Sequence, residues 1–95
     1  MDYEWDAAKA AENRHRHGID FADSIAAIED PNRLEEIDDR FEYGEERIRV
    51  IGMADGNVLF VVTTLRDERT CRIISARRAT RYEQDRYYAD DHEAW

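Results

Sequence analysis

The run from Val58 to Leu65 constrains the fold more than any other segment of this sequence. It is continuous, apolar and rich in β-branched residues, a pattern typical of a central strand that is covered on both faces. Asp55-Gly56 directly precedes it and is a strong hairpin signal, so the alternating segment from Arg47 to Met53 should pair with it. A turn over Arg66 to Arg69 leads to a last strand from Thr70 to Arg77. The centre of the chain therefore predicts a meander of antiparallel strands.

Capping residues mark three helices outside this meander. Asp6 is a good N-cap for a helix that ends at Gly18, and Asp20 caps a second helix that stops before Pro31. Thr80-x-x-Glu83 is a capping box, which opens a final helix.

The remaining segments are short. Met1 to Trp5 alternates weakly and predicts a short strand. Arg33 to Asp38 is predicted as another short strand, and Asp39 to Glu46 is predicted as a loop. This order of elements predicts one α+β domain over residues 1–95. We expect a small antiparallel sheet with two N-terminal helices and a C-terminal helix, all packed against one face of the sheet.

Charge is unevenly distributed along the chain. The formal net charge is −9, yet Arg66 to Arg81 holds six arginines and two acidic residues, a local charge of +4. Arginines gathered in an acidic chain either bind an anion or balance nearby acids. One lysine, Lys9, stands against thirteen arginines. This composition fits a high-salt cytoplasm that screens like charges, or alternatively a GC-rich genome.

Several classes of protein are excluded by what the sequence lacks. The single Cys71 excludes an intrachain disulfide and a cysteine-cluster metal site. His15 and His17 stand two apart, which places them on different sides of a helix and argues against a shared metal. The sequence contains no nucleotide-binding glycine motif and no apolar run long enough to span a membrane, and we expect no signal peptide. We therefore expect no cofactor, no metal, no membrane and a cytoplasmic location.

Arginines on the predicted strands are the main candidates for a binding site. Arg47 and Arg49 share one face of their strand, whereas Arg72 and Arg77 lie five apart and face opposite sides unless a bulge intervenes. Pairs of guanidinium groups suit a phosphodiester, because each can donate two hydrogen bonds to phosphate oxygens. Alternatively, these arginines form solvated ion pairs with the abundant acids, each worth about 0–1 kcal/mol.

Other candidates also have two interpretations. His17 is either a general acid or base, or a residue that interacts with the dipole at the end of the first helix. Glu83 is first a capping residue, and catalysis would be a second role. Tyr87 and Tyr88 either contact a ligand or pack the last helix on the sheet.

Taken together, several short motifs resemble the BrnT family of type II toxin–antitoxin toxins. They are spread over most of the chain, in the family's order and with its approximate spacing. The matching motifs are Trp5-Asp6-x-x-Lys9-x-x-x-Asn13, Arg16-His17-Gly18-x-x-Phe21, Gly44-Glu45-x-Arg47 with Gly52, and Ile73-Ile74-Ser75-Ala76-Arg77-Arg78-Ala79 followed by Glu83.

The resemblance implies a compact RelE-like fold and a ribonuclease that inhibits translation by cutting RNA. It also implies a cognate antitoxin, usually a ribbon-helix-helix protein, through which the complex binds operator DNA. Two features depart from the family. Arg16 stands where lysine is common, and the chain is strongly acidic, whereas an RNA-cutting toxin is usually basic.

The resemblance implies catalytic roles for His17, Arg47, Arg77 and Glu83 in a metal-independent reaction. His17 or Glu83 would transfer the proton, and Arg47 and Arg77 would hold the phosphate. The expected substrate-binding residues are Lys9, Arg49, Arg72, Arg78 and Tyr87. The rival hypothesis is a non-catalytic binding module, whose arginine-rich surface engages a DNA-binding antitoxin in a repressor complex.

Overall fold

The computed structural model describes residues 1–39 and 44–91, with side chains described up to residue 89. Within these residues the chain forms, in order, β1 (Asp2–Glu4), α1 (Ala7–His17), α2 (Phe21–Ile28), β2 (Leu34–Ile37), β3 (Ile48–Ala54), β4 (Asn57–Leu65), β5 (Thr70–Arg78) and α3 (Arg81–Asp91). Part of the predicted loop, residues 40–43, lies outside the described residues. No helix in the described ranges is both long and apolar enough to cross a membrane.

The strands form one sheet in the order β1-β5-β4-β3-β2. Strands β2 to β5 are the predicted antiparallel meander, and the turn between β3 and β4 contains Asp55 and Gly56, both with positive φ. The α+β class is therefore confirmed. Strand β1 departs from the expected antiparallel sheet, because it pairs in parallel with β5. The long intervening chain permits this, since parallel neighbours need a crossover connection.

One face of the sheet is covered by α1 and α2. Phe21 and Ala27 of α2 pack there against Val50, Val61 and other apolar side chains of the central strands. Helix α2 lies so close to β3 that a Cβ at Gly52 would clash with the carbonyl oxygen of Ala27. A glycine is therefore required at this crossing for steric reasons.

The C-terminal helix lies on the opposite face of the sheet, so the expectation that all helices share one face was wrong for α3. Its Tyr87 packs in a second apolar cluster, with Ile51, Val58 and Phe60 among its members. Successive side chains of a strand point to opposite faces, and β3 and β4 are buried along most of their length. Both strands therefore offer apolar side chains to a helix on each face. Helix α3 covers only part of this face, and polar side chains occupy the rest.

A bulge in β5 decides which arginines share that polar region. Val62 lies opposite Ser75, whereas the next residue, Thr63, lies opposite Ile73, so one residue of β5 is extra. An extra residue reverses the alternation beyond it. Arg72 and Arg77 consequently project from the same face, although a strand without a bulge would separate them.

Candidate functional site

Four arginines of the described residues lie on the face that α3 only partly covers. Arg49, Arg72 and Arg77 stand opposite Val62, Thr64 and Phe60, which alternate along β4 and so share one side. Arg86 of α3 reaches the same region. We call this surface the arginine face and define it by Arg49, Arg72, Arg77 and Arg86. Arg47, two residues before Arg49, lies at its margin.

Arg77 is fixed by three different contacts. Its Nη1 and Nη2 atoms donate to the two carboxylate oxygens of Glu83 at 2.8 and 3.0 Å, and Nη1 also donates to the Arg78 carbonyl at 3.1 Å. Its Cζ atom lies 4.1 Å from the centre of the Phe60 ring. Within the described part of the chain, no acceptor bonds the remaining edge, which is formed by Nε and Nη2. The guanidinium is thus held in one orientation with a bidentate donor edge available.

Glu83 combines two roles at the start of α3. The Thr80 backbone N–H donates to its Oε1 at 2.8 Å, and the Glu83 backbone N–H donates to Thr80 Oγ1 at 3.2 Å, so the predicted capping box is confirmed. Burial raises the pKa of the Glu83 carboxyl, but hydrogen bonds from Arg77 and Thr80 outweigh burial and the net shift is downward. A carboxylate with a lowered pKa is a weak base, so this geometry suits orientation of Arg77 better than proton abstraction.

Glu36 of β2 holds two further arginines of this face. Arg86 donates to both of its carboxylate oxygens at 3.0 and 2.9 Å. Arg49 Nε lies 3.4 Å from Glu36 Oε1, but it is buried and misses the alignment of a hydrogen bond. The hydrogen bonds from Arg86 are the main reason why the pKa of Glu36 is lowered, and burial opposes them.

Ion pairs hold the other strand arginines as well. Arg72 Nη1 donates to Glu4 of β1 at 2.8 Å, and Arg47 Nη2 lies 3.6 Å from Glu45. The arginines therefore pair with acids, as the alternative interpretation expected. The pairs are partly buried on one surface rather than scattered over the exterior, which also keeps the guanidinium groups close together.

A separate groove of about 200 Å³ runs along the outer edge of β5. Lys9 and His17 of α1 line it together with Ser75. Buried Asn13 fixes α1 at this edge, since its Nδ2 donates to the Ala76 carbonyl at 2.8 Å and its Oδ1 accepts from the Ala76 N–H at 3.1 Å. Asn13 was not among the predicted site residues, although a polar residue on the inner side of a helix was the available signal.

The two candidate proton-transfer residues lie in different cavities. His17 belongs to the groove beside β5, whereas Glu83 lines a cavity between α3 and the sheet. Ser75 lines the groove and precedes Arg77 by two residues on β5, but it is not among the residues that line the cavity of Glu83.

Two predicted substrate-binding residues lie away from these regions. Arg78 stands opposite Leu59 and lines a different depression with Tyr88. Tyr87 is only 5% exposed, and its hydroxyl donates to buried Asp30 at 2.6 Å. The structure thus places Tyr87 in the core, which matches the packing alternative for this residue.

Comparison with known proteins gives matches over most of the chain. No curated protein matches it. A crystal structure of the Brucella abortus ribonuclease toxin BrnT is similar, with a TM-score of 0.65 and 24% sequence identity over 85% of this chain and 99% of that one. The similarity supports the fold. The family described as ribonuclease toxin BrnT of type II toxin–antitoxin systems matches residues 5–83, which include every motif quoted above. This chain belongs to the BrnT family of ribonuclease toxins of type II toxin–antitoxin systems.

Proposed function

We propose that this toxin is a metal-independent endoribonuclease that inhibits translation by cleaving RNA, and that the arginine face binds the scissile phosphate. The observation that carries the proposal is the geometry of Arg77. Glu83 and Phe60 hold its guanidinium in place, and among the described residues no acceptor bonds its Nε–Nη2 edge. A fixed bidentate donor matches two oxygens of one phosphate.

Arg77 would stabilise charge that develops on the phosphate during the reaction. Attack of the ribose 2′-oxygen on the adjacent phosphorus forms a cyclic phosphate and breaks the bond to the 5′-oxygen of the next nucleotide. The phosphoryl oxygens gain negative charge in the transition state, and a donor that is already oriented needs no rearrangement to meet it. Arg72 lies on the same face and Arg47 at its margin. Each is paired with a carboxylate, so both would offer further hydrogen-bond donors to the RNA backbone rather than net positive charge.

His17 is the better candidate for the general base. The Glu83 carboxylate already accepts two hydrogen bonds from Arg77, and its lowered pKa makes it a weaker base. His17 is exposed in the groove beside β5, and Ser75 connects that groove to the strand that carries Arg77. In this arrangement His17 accepts the 2′-hydroxyl proton, and Lys9 in the same groove binds a neighbouring phosphate.

The antitoxin is the second partner that family membership implies. We propose that it is a ribbon-helix-helix protein, that the toxin reaches operator DNA only through it, and that both act in the cytoplasm. Sequencing the gene beside the toxin tests this, since a short reading frame without a ribbon-helix-helix pattern would contradict it.

Cleavage of RNA by purified protein tests the proposed reaction. The assay contains EDTA and covers a salt series, and it compares wild type with Arg77→Ala and Arg78→Ala. Arg78 is a matched control, because it is the adjacent arginine but stands on β5 away from the arginine face. We expect Arg77→Ala to lower the rate by about 10²–10³, as loss of a transition-state donor does, and Arg78→Ala to stay near wild type.

Two results would contradict the proposal. Equal cleavage rates for Arg77→Ala and wild type would show that Arg77 does not take part in the reaction. RNA binding without cleavage at any salt concentration would favour the rival hypothesis of a non-catalytic binding module. The carboxylate partners of Arg49, Arg72, Arg77 and Arg86 are the observation that supports that rival, since paired arginines can be purely structural.

A further inference from the structure

A cavity of about 500 Å³ lies beside Arg77, between α3 and the strands β2, β3 and β4. Phe60 and Glu83, the two residues that hold Arg77, form one side of it. Tyr82 stands at the rim and is 69% exposed, the highest value among the large hydrophobic side chains in the described ranges. A single exposed aromatic ring is ordinary by itself, but beside an arginine oriented for a phosphate it provides a stacking surface for a base.

The polar chemistry of this cavity is biased toward hydrogen-bond donors. Both oxygens of Glu36 already accept from Arg86, which reduces their capacity for a ligand. Arg49 lines the same cavity, and its buried Nε has no aligned acceptor in the described part of the chain. That nitrogen is inaccessible beside Glu36 Oε1 at 3.4 Å, so the two terminal nitrogens of Arg49 are its donors to a ligand. A molecule that fits here should therefore present acceptors to Arg49.

We propose that this cavity binds one nucleobase next to the scissile phosphate, and that it prefers guanine. The inference rests on the proposed function, because it places the base by reference to the phosphate at Arg77. The Tyr82 ring stacks on the base, as exposed aromatic side chains do in proteins that bind single-stranded RNA. Arg49 then donates to the two acceptors that guanine alone presents side by side, O6 and N7, whereas adenine presents one acceptor and one donor there.

Binding of RNA that cannot be cleaved tests this subsite separately from catalysis. The probes are short 2′-O-methyl uridine oligomers with a central guanosine, adenosine, cytidine or uridine, and affinity is measured by fluorescence anisotropy. Tyr82→Ala should weaken binding of the guanosine probe by about 5- to 150-fold, the usual range for one stacked base. Tyr88→Ala is the matched control, since Tyr88 is also exposed on α3, at 48%, but lines a different depression with Arg78.

Arg49→Lys tests base preference while it keeps the charge. Lysine lacks the planar fork that bonds O6 and N7 together, so the preference for the guanosine probe over the adenosine probe should decrease by about 5- to 150-fold. Thermal melting verifies that each variant folds. Tyr82 is exposed, so its variant remains informative if Arg49→Lys fails to fold.

The outcomes separate this inference from the proposed function. If Tyr82→Ala and Tyr88→Ala bind all four probes as wild type does, the cavity is not a base subsite, whether or not the enzyme cuts RNA. If wild type shows no preference for the guanosine probe, the assignment to guanine is wrong. If Tyr82→Ala weakens binding but wild type leaves unmodified RNA intact in EDTA, the subsite stands and the proposed reaction does not.

Discussion

Glu83→Gln should loosen Arg77 while it leaves the start of α3 largely in place. Glutamine can keep its oxygen at the Oε1 position, which accepts from the Thr80 N–H and from Arg77 Nη1. Its amide nitrogen then replaces Oε2 and faces Arg77 Nη2, so two donors meet where a donor met an acceptor at 3.0 Å. The variant therefore loses one charge-assisted hydrogen bond and the ion pair, but not the cap.

The expected cost in stability follows from these contacts. A hydrogen bond to a charged group contributes about 1.5–3 kcal/mol, and the lower part of that range applies because the Arg77 side chain is 33% exposed. A loss of about 1–2 kcal/mol should lower the melting temperature by roughly 5–15 °C in a domain of this size. Cleavage should fall by up to about 100-fold, because Arg77 no longer holds the orientation that meets the phosphate.

Thr80→Ala is the matched control for this variant. It removes the hydroxyl that accepts from the Glu83 N–H, which costs about 0.5–2 kcal/mol, and leaves the carboxylate bound to Arg77. The two variants should therefore melt at similar temperatures, while only Glu83→Gln loses activity per folded molecule. Equal cleavage by both variants would refute the view that Glu83 acts by orienting Arg77.

Acid titration gives a second readout of the same carboxylate. The folded pKa of Glu83 lies below its ordinary value of 4.5, so its contribution to stability is complete above that value and disappears as the pH falls through the folded pKa. The difference in unfolding free energy between wild type and Glu83→Gln should therefore narrow as the pH is lowered below about 4.5. A difference that stays constant down to pH 2 would show that the ionised carboxylate adds no stability.

Three further predictions concern stability and salt. Tyr87→Phe removes the donor to buried Asp30 and should lower the unfolding free energy in urea by about 1–3 kcal/mol, with cleavage per folded molecule unchanged. Gly52→Ala places a Cβ against the Ala27 carbonyl and should lower the unfolding free energy in urea by more than about 1 kcal/mol. A smaller decrease would contradict the close approach of α2 to β3. Raising KCl to molar concentration should raise the melting temperature, because salt screens the repulsion among acidic side chains in a chain of net charge −9. The same salt should weaken RNA binding. A melting temperature that falls steadily with salt would show that ion pairs contribute more to stability than this repulsion removes.

Local signals in the sequence determined the elements and their order. Asp6 accepts from the Lys9 N–H and Gly18 adopts a left-handed conformation at φ 71°, so both ends of α1 lie where the sequence placed them. The hairpin at Asp55-Gly56 and the capping box of Thr80 and Glu83 are equally local. Such features depend on residues within three or four positions of one another, and the chain specifies them before any distant segment packs. These local features made the α+β class predictable from the sequence, and short local motifs carried the family resemblance.

Only the tertiary structure decided which side chains meet. The bulge in β5 has no distinctive local signal, yet it moves Arg72 to the same face as Arg77. Arg86 reaches Glu36 across fifty positions of sequence, and the Tyr87 hydroxyl reaches Asp30 across fifty-seven. These contacts depend on α3 packing on the opposite face from α1 and α2. The sequence alone identified arginines suited to a phosphate. The register of the sheet and the bulge in β5 placed three of them, Arg49, Arg72 and Arg77, on one surface, and the packing of α3 added Arg86.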